Sequence, residues 1–189
     1  MAVGIKNCPR PFFCFRANRV MNIVLIGYRC SGKTEVGKIL AKDLEKDFLD
    51  TDMLIMENGA CSIETIVSAT GWDHFRYMEK ILIEEISKKD NLVIATGGGV
   101  VTDEENLKSL KENGWIVWLD AKAEVLKKRM DKEQRSGKIR PSLTGADPLE
   151  EIKQVLRIRK PLYEQAADLV VDTSNLSIKE LATTIIKAH

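Results

Sequence analysis

Residues 27–34 read Gly27-Tyr28-Arg29-Cys30-Ser31-Gly32-Lys33-Thr34, which fits the pattern G-x-x-x-x-G-K-T. The backbone N–H groups of such a loop cradle phosphate oxygens at the N-terminus of a helix. An apolar run at 22–26 indicates a buried parallel strand before the loop, and apolar side chains at helical spacing follow it. Because strand, loop and helix form the context in which this pattern binds phosphate, we favour a nucleotide site over a chance match on a tight turn.

Two side chains of the loop have expected roles. Lys33 would reach the β- and γ-phosphates of a nucleotide, and the hydroxyl of Thr34 would bind Mg²⁺. Lys33 and Thr34 are therefore the first candidate site residues.

The composition limits the class of protein. The chain has 189 residues, of which 30% are charged, and its formal net charge is +1. This balance gives no reason to expect a nucleic-acid or membrane partner, and no apolar run approaches the roughly 20 residues of a membrane-spanning helix. The four cysteines show neither C-x-x-C nor metal-site spacing, which favours a reducing, cytoplasmic location.

The first twenty residues differ from the rest of the chain. They contain four basic residues and no acidic one, and they show no periodicity. A transit peptide is one interpretation, but the segment is short and lacks serine. We favour a disordered or non-native extension at 1–20, followed by one domain at 21–189 that begins next to Met21.

Apolar runs alternate with helical patterns from residue 21 onward. The predicted strands lie at 22–26, 48–49, 92–95, 115–119 and 169–171, and the predicted helices near 33–46, 62–68, 72–89, 103–112, 121–131, 148–167 and 177–187. This alternation predicts an α/β fold with a parallel sheet between helices. Ligands gather beyond the carboxyl ends of such strands, so Lys33, Asp50, Asp52 and 97–99 are expected along one edge.

Residues 131–147 form a long polar segment that contains Gly137 and Gly145. Loops of this length are uncommon in a compact domain unless they are functional or disordered. We therefore expect a lid over the phosphate site, with a solvated surface loop as the alternative.

The segment Asp50-Thr51-Asp52 ends the second predicted strand. Alternate residues of a strand point to the same face, so both carboxylates can face the sheet edge. One could hold Mg²⁺, usually through water, and the other could accept a proton from an attacking hydroxyl. The pattern alone is often only a turn or a helix cap.

Arg76 and Glu79 lie three residues apart in a predicted helix. This spacing lets Glu79 pair with the guanidinium and orient it. An ordinary surface ion pair is the alternative.

Thr96 is followed by three glycines, Gly97, Gly98 and Gly99, directly after a buried strand. Consecutive glycines cost backbone entropy and add no packing, so another group is expected to approach the backbone closely. A tight strand-to-helix turn is the alternative.

A proline at position 161 interrupts the last long helical pattern. A kink there could turn Arg159 inward, where arginine is suited to bidentate binding of a carboxylate or phosphate. Arg140, followed by Pro141 in the expected lid, offers a second such group.

The chain contains, in this order, the motifs G-x-x-x-S-G-K-T, D-T-D, F-R-x-x-E, G-G-G, R-P and R-x-P-L-Y. With this ordered set of motifs, residues 21–188 resemble the shikimate kinase family. The resemblance implies a three-layer sandwich like that of nucleoside-monophosphate kinases, with strand order 2-3-1-4-5. It also implies ATP-dependent phosphorylation of the 3-hydroxyl of shikimate, on the route to chorismate and the aromatic amino acids.

The resemblance assigns a role to each site residue. Lys33 would hold the transferring phosphate, while Thr34 and Asp50 would hold Mg²⁺. Asp52 would bind the shikimate hydroxyls and act as base, and Arg140 would close from the lid onto ATP. The nucleotide contacts would be Cys30, Ser31, Gly32, Lys33, Thr34, Glu35 and Arg140, and the shikimate contacts Asp52, Arg76, Gly98 and Arg159.

The chain departs from the family pattern at two places. Cys30 stands where the family usually has glycine, and the lid is longer and reads R-P-S-L rather than R-P-L-L. Arg129, near the start of the lid, is a candidate for stacking on adenine.

Two other functions remain as alternatives. Another small P-loop kinase, acting on a sugar acid or a nucleotide, would not be expected to combine D-T-D, G-G-G and R-x-P-L-Y. A non-catalytic nucleotide-binding module would be expected to lack one of the candidate residues, and all are present. We therefore expect shikimate and ATP as the ligands of a monomeric enzyme, without nucleic-acid or membrane partners.

Overall fold

A computed structural model describes residues 21–135 and 147–189. The helices and strands, in chain order, are β1 Asn22–Ile26, α1 Lys33–Asp43, β2 Asp47–Asp50, α2 Thr51–Gly59, α3 Ile63–Ile86, β3 Leu92–Ala95, α4 Glu104–Glu112, β4 Gly114–Asp120, α5 Ala123–Arg135, α6 Pro148–Ala166, β5 Leu169–Asp172 and α7 Ile178–Ala188. None of the helices in these two ranges has the length and apolar character needed to cross a membrane. The expectations for residues 1–20 and for Arg140 in the lid lie outside the described residues.

The strands form one parallel sheet in the order β2-β3-β1-β4-β5. Strand β1 lies at the centre, with Ile23 opposite Val93 of β3 and Trp115 of β4. All five residues of β1 are buried, as expected of a central parallel strand covered on both faces. The predicted α/β class and the strand order 2-3-1-4-5 are confirmed.

Helices cover both faces of the sheet and form three layers. Val24 and Ile26 belong to the core on the side of α3, α4 and α6. Their neighbours Ile23 and Leu25 belong to the opposite core, with α1 and α7. This alternation follows from the two-residue repeat of a strand. A smaller cluster around Tyr28 packs the phosphate loop against α5 and α6.

The main difference from the predicted elements is α2, which no helical pattern had indicated. Asp50 ends β2 and also begins this helix, because its side chain accepts hydrogen bonds from the backbone N–H of Asp52 and Met53. Only Thr51 and Ile55 of α2 are buried, so the helix has little amphipathic signal.

Two further differences concern the ends of helices. The two predicted helices at 62–68 and 72–89 form the single element α3, which is interrupted at Gly71 by a non-helical backbone with φ 82°. Helix α5 continues to Arg135, past the expected start of the lid at residue 131. The break at Gly71 thus separates the two predicted helices, and the longer α5 reflects the fact that helix ends are the least reliable part of a prediction from sequence.

Candidate active site

A cavity of about 530 Å³ opens at the carboxyl edge of the sheet. Its wall includes seven predicted site residues from the phosphate loop, α1, β2 and α2: Cys30, Gly32, Lys33, Thr34, Glu35, Asp50 and Asp52. It also includes the predicted acceptor contacts Arg76, Gly98 and Arg159. Ser31, also a residue of the phosphate loop, is buried and does not line the cavity. Of the candidates in the described residues, all but Ser31 and Arg129 therefore line this cavity.

The loop at 27–34 needs glycine at its first position. Gly27 has φ 139°, and a Cβ added there would lie 2.5 Å from the carbonyl oxygen of Leu119 in β4. A side chain at this position would therefore meet both backbone strain and a clash with a neighbouring strand. This close contact holds the start of the loop against the end of the sheet.

Lys33 begins α1, and its ammonium group folds back over the loop. Nζ donates hydrogen bonds of 2.8 Å to the carbonyl oxygens of Gly27 and Tyr28. The residue is only 8% exposed, so the loop holds this cation at the cavity wall. A buried cation next to backbone N–H groups is suited to phosphate oxygens.

Thr34 and Asp50 offer two oxygen atoms for a metal ion. The hydroxyl of Thr34 donates a 2.7 Å hydrogen bond to Oδ2 of Asp50. The other carboxylate oxygen of Asp50 caps α2 by accepting from the backbone N–H groups of Asp52 and Met53. Hydroxyl and carboxylate oxygens beside a phosphate site fit Mg²⁺, which usually takes few protein ligands and keeps several waters.

Arg76 on α3 pairs with a carboxylate that has no access to water. Its Nη1 donates a 2.5 Å hydrogen bond to Oε2 of Glu79, whose side chain is 0% exposed. Burial raises the pKa of Glu79, the charge of Arg76 opposes this rise, and Asp52 adds to it. The alternative of an ordinary surface ion pair is therefore wrong.

Aromatic rings form the other side of the Arg76 environment. The guanidinium carbon lies 5.6 Å from the ring centroid of Trp72 and 5.1 Å from that of Phe75. Both rings also line the cavity. Cation–π contacts and the Glu79 carboxylate together restrict the orientation of Arg76. The spacing of three between Trp72 and Phe75 places both rings on one face of a helix, but no role was predicted for them from the sequence.

The three glycines after β3 lie where other groups leave no room for a side chain. A Cβ on Gly97 would lie 2.6 Å from Oε1 of Glu79 and 2.8 Å from Oδ1 of Asp52. A Cβ on Gly98 would lie 3.2 Å from the backbone nitrogen of Arg29, and one on Gly99 would overlap the Arg76 guanidinium. Close approach of neighbouring groups accounts for these glycines better than a tight turn alone.

We predict that Gly99→Ala impairs acceptor binding and leaves nucleotide binding unchanged. The added methyl group would displace the Arg76 guanidinium, and a misplacement of about 1 Å can lower kcat/KM by about 100-fold. Steady-state kinetics with each substrate varied in turn measures the effect. Gly59→Ala is the matched control, because its added Cβ meets no atom closer than 3.5 Å. Equal losses in the two variants would contradict the prediction.

Arg159 reaches the cavity from α6, in which Pro161 is an internal residue. Its Nη1 donates a 2.9 Å hydrogen bond to the carbonyl oxygen of Gly98, which also accepts a hydrogen bond from the hydroxyl of Tyr163. These contacts place Arg159 against the segment 97–99, which we call the glycine segment. The guanidinium of Arg76 also lies next to this segment, at Gly99. Tyr163 belongs to the R-x-P-L-Y motif, but no role was predicted for it from the sequence.

Cys30 adopts the left-handed backbone conformation that glycine favours, with φ 62°. Its Sγ lies 3.5 Å from Oε2 of Glu133 on α5. Cys30 therefore has a backbone conformation that glycine, the family's usual residue at this position, adopts more readily. A non-glycine residue in this region costs about 1–2 kcal/mol.

We predict that Cys30→Gly raises the free energy of unfolding by about 1 kcal/mol, since it relieves the backbone cost while adding freedom to the unfolded chain. Thermal or denaturant unfolding measures this change. Cys30→Ala is the control, because it removes the thiol and keeps the β-carbon. An equal gain in Cys30→Ala would assign the effect to the thiol and contradict the backbone argument.

Arg129 of α5 joins the loop to the end of β5. Its guanidinium donates to the hydroxyl of Thr173 at 3.0 Å and to the carbonyl oxygen of Thr173 at 2.6 Å. Longer contacts reach the carbonyl oxygens of Cys30 and Ser31. Its contact with adenine stays a prediction.

The fold and this cavity place the chain among the small P-loop kinases, since a phosphate loop faces a second, arginine-lined half-site across one cavity. Comparison with known proteins narrows the class. The family model described as shikimate kinase matches residues 29–189. The chain belongs to the shikimate kinase family.

Individual relatives agree with the family match. A shikimate kinase of Thermodesulfovibrio yellowstonii is 44% identical over 168 residues, which cover 89% of this chain and 94% of the relative. That of Syntrophus aciditrophicus is 38% identical over 174 residues, covering 88% and 89%. The solved structure of shikimate kinase from Acinetobacter baumannii in complex with shikimate superposes with a TM-score of 0.83 at 32% identity, covering 89% of this chain and 92% of that chain.

Proposed function

We propose that the protein transfers the terminal phosphoryl group of ATP to the 3-hydroxyl of shikimate, giving shikimate 3-phosphate and ADP on the route to chorismate. Family membership supports the reaction class and the substrate pair. The observation that carries the proposal is the pairing of the phosphate loop with two arginines in one cavity: Arg76, which Glu79 holds, and Arg159, which the carbonyl oxygen of Gly98 holds.

On the nucleotide side, the loop N–H groups and Lys33 would bind the phosphates of ATP. Thr34 and Asp50 would hold Mg²⁺, and the bound ion would neutralise charge on the β- and γ-phosphate oxygens. Arg140 would add a further cation to the nucleotide; its assignment rests on the sequence resemblance. This half of the site positions the phosphoryl group and stabilises its charge, which accounts for most of catalysis in phosphoryl transfer.

On the acceptor side, two arginines would clamp the carboxylate of shikimate. Arg76 is aligned by Glu79, and Arg159 is aligned by the carbonyl oxygen of Gly98. Arginine is suited to this task because its planar group binds a carboxylate through two parallel hydrogen bonds. A molecule with a carboxylate at one end would thereby present its hydroxyls to the opposite wall of the cavity.

Asp52 lies between the two halves. It sits in the first turn of α2, next to the Mg²⁺ candidate Asp50, and its Oδ1 approaches Gly97. From this place it would orient the acceptor hydroxyl and accept its proton during transfer. The hydroxyl oxygen would then attack the γ-phosphorus as the bond to ADP breaks.

A coupled ADP-release assay tests the proposed function. We expect turnover with shikimate, little with gluconate or nucleoside monophosphates, and loss of turnover when EDTA removes Mg²⁺. Background activity with shikimate, together with turnover of another acceptor, would overturn the proposal.

We also propose that the protein is a monomer in the cytoplasm. Light scattering after size-exclusion chromatography tests the monomer, and fractionation of the cells that make the protein tests its cytoplasmic location.

A further inference from the structure

Arg29, the third residue of the phosphate loop, forms an ion pair to which the reaction above gives no role. Its Nη2 donates to Oε1 of Glu151 in the first turn of α6, and the side chains are only 11% and 2% exposed. The neighbouring pair of Lys153 and Glu150 on the same helix has side chains 43% and 57% exposed. Taking charges out of water costs free energy that surface pairs avoid, so burial is weak evidence for a purely stabilising role.

Arg29 lies where the phosphate loop meets the acceptor side of the cavity. It lines the cavity, and its backbone nitrogen would be 3.2 Å from a Cβ on Gly98. Its guanidinium also lies 5.6 Å from the ring centroid of Tyr28, which is buried in the cluster with Ile152 of α6. The ring and the carboxylate of Glu151 therefore hold the Arg29 side chain between loop and helix.

Helix α6 contacts the site at two places along its length. Glu151 binds the phosphate loop through Arg29, while Arg159 and Tyr163 bind the carbonyl oxygen of Gly98. With a rise of 1.5 Å per residue, the two places are about 12 Å apart along the helix axis. Two separated contacts fix the rotation of a helix as well as its position.

We infer that Arg29 and Glu151 are positioning residues that fix α6, and with it Arg159, relative to the phosphate loop. The inference rests on the proposed function, because it concerns the alignment of the shikimate carboxylate with the phosphoryl group. A guanidinium–carboxylate bond is directional, whereas apolar contacts tolerate small shifts. In-line transfer is sensitive to such shifts, so the pair acts on the reaction through geometry.

The test compares Arg29→Met, Glu151→Gln and the apolar pair Arg29→Met/Glu151→Leu. We expect each variant to lower kcat by about 10–100-fold, while the separate affinities for ADP and shikimate change little. Calorimetry gives these affinities, and its binding stoichiometry gives the folded fraction. The apolar pair should recover thermal stability, because apolar residues can replace a buried ion pair without loss, but it should not recover kcat.

Glu150→Gln is the matched control, since it removes a charge from the same turn of α6 and should leave kcat unchanged. Recovery of kcat in the apolar pair would overturn the inference, as would a loss of activity that only follows the loss of folded protein. The unaltered chain tests the proposed function separately. If it phosphorylates another acceptor instead of shikimate, the same variants are compared with that acceptor.

Discussion

Asp52→Asn is expected to lower kcat by about 100- to 10,000-fold, the usual contribution of a positioned acid or base. The amide keeps the size of the carboxylate and its place in the first turn of α2, but it cannot accept the proton of the acceptor hydroxyl. Because Asp50, rather than Asp52, bonds to Thr34, the nucleotide side should keep its geometry.

Single-turnover kinetics with ATP and shikimate measures this effect, and calorimetry with ADP and Mg²⁺ measures nucleotide affinity. Glu57→Gln is the matched control, because Glu57 is an exposed carboxylate on the same helix and does not line the cavity. A loss of nucleotide affinity in Asp52→Asn as large as the loss of kcat would place Asp52 on the nucleotide side instead.

Lys33→Met is expected to lower kcat by about 100- to 1,000-fold, which is the usual effect of removing one group that stabilises charge in the transition state. Methionine has a similar length and an apolar stem, so it can occupy this largely buried position. It lacks the ammonium group that the carbonyl oxygens of Gly27 and Tyr28 hold at the cavity wall.

The same assays apply, with ATP as the varied substrate. Lys42→Met on the exposed side of α1 removes an equal charge away from the cavity and should retain full activity. If Lys33→Met kept nearly full kcat and changed only the KM for ATP, Lys33 would contribute ground-state binding rather than stabilisation of the transferring group.

Much of this architecture could be predicted from local patterns. Buried parallel strands are short apolar runs, and the glycine and lysine spacing of the loop after β1 is one that few other structures require. The sheet and the nucleotide half of the site could therefore both be predicted. The order of the strands came from the family resemblance. A helix cap was one interpretation of the segment Asp50-Thr51-Asp52, but helix α2 was missed because its buried side is too narrow to give an amphipathic pattern.

The contacts between distant segments could not be predicted. Arg29 and Glu151 are 122 residues apart, and nothing in the local sequence of either residue indicates the other. The same holds for Arg159 and Gly98, whose hydrogen bond depends on how α6 lies across the sheet. The spacing of Arg76 and Glu79 predicted their pairing, but burial of the carboxylate follows only from the packing of α3.

That burial gives Glu79 opposite effects on folding and on substrate binding. Since burial raises the pKa of this carboxyl, its protonated form contributes stability below the unfolded pKa, and this contribution is lost as the pH rises through the folded pKa. Ionised Glu79 is nevertheless the form that aligns Arg76. At pH values above the folded pKa of Glu79, the domain thus gives up stability for a fixed cation, a trade-off that selection for activity maintains and selection for stability alone would remove.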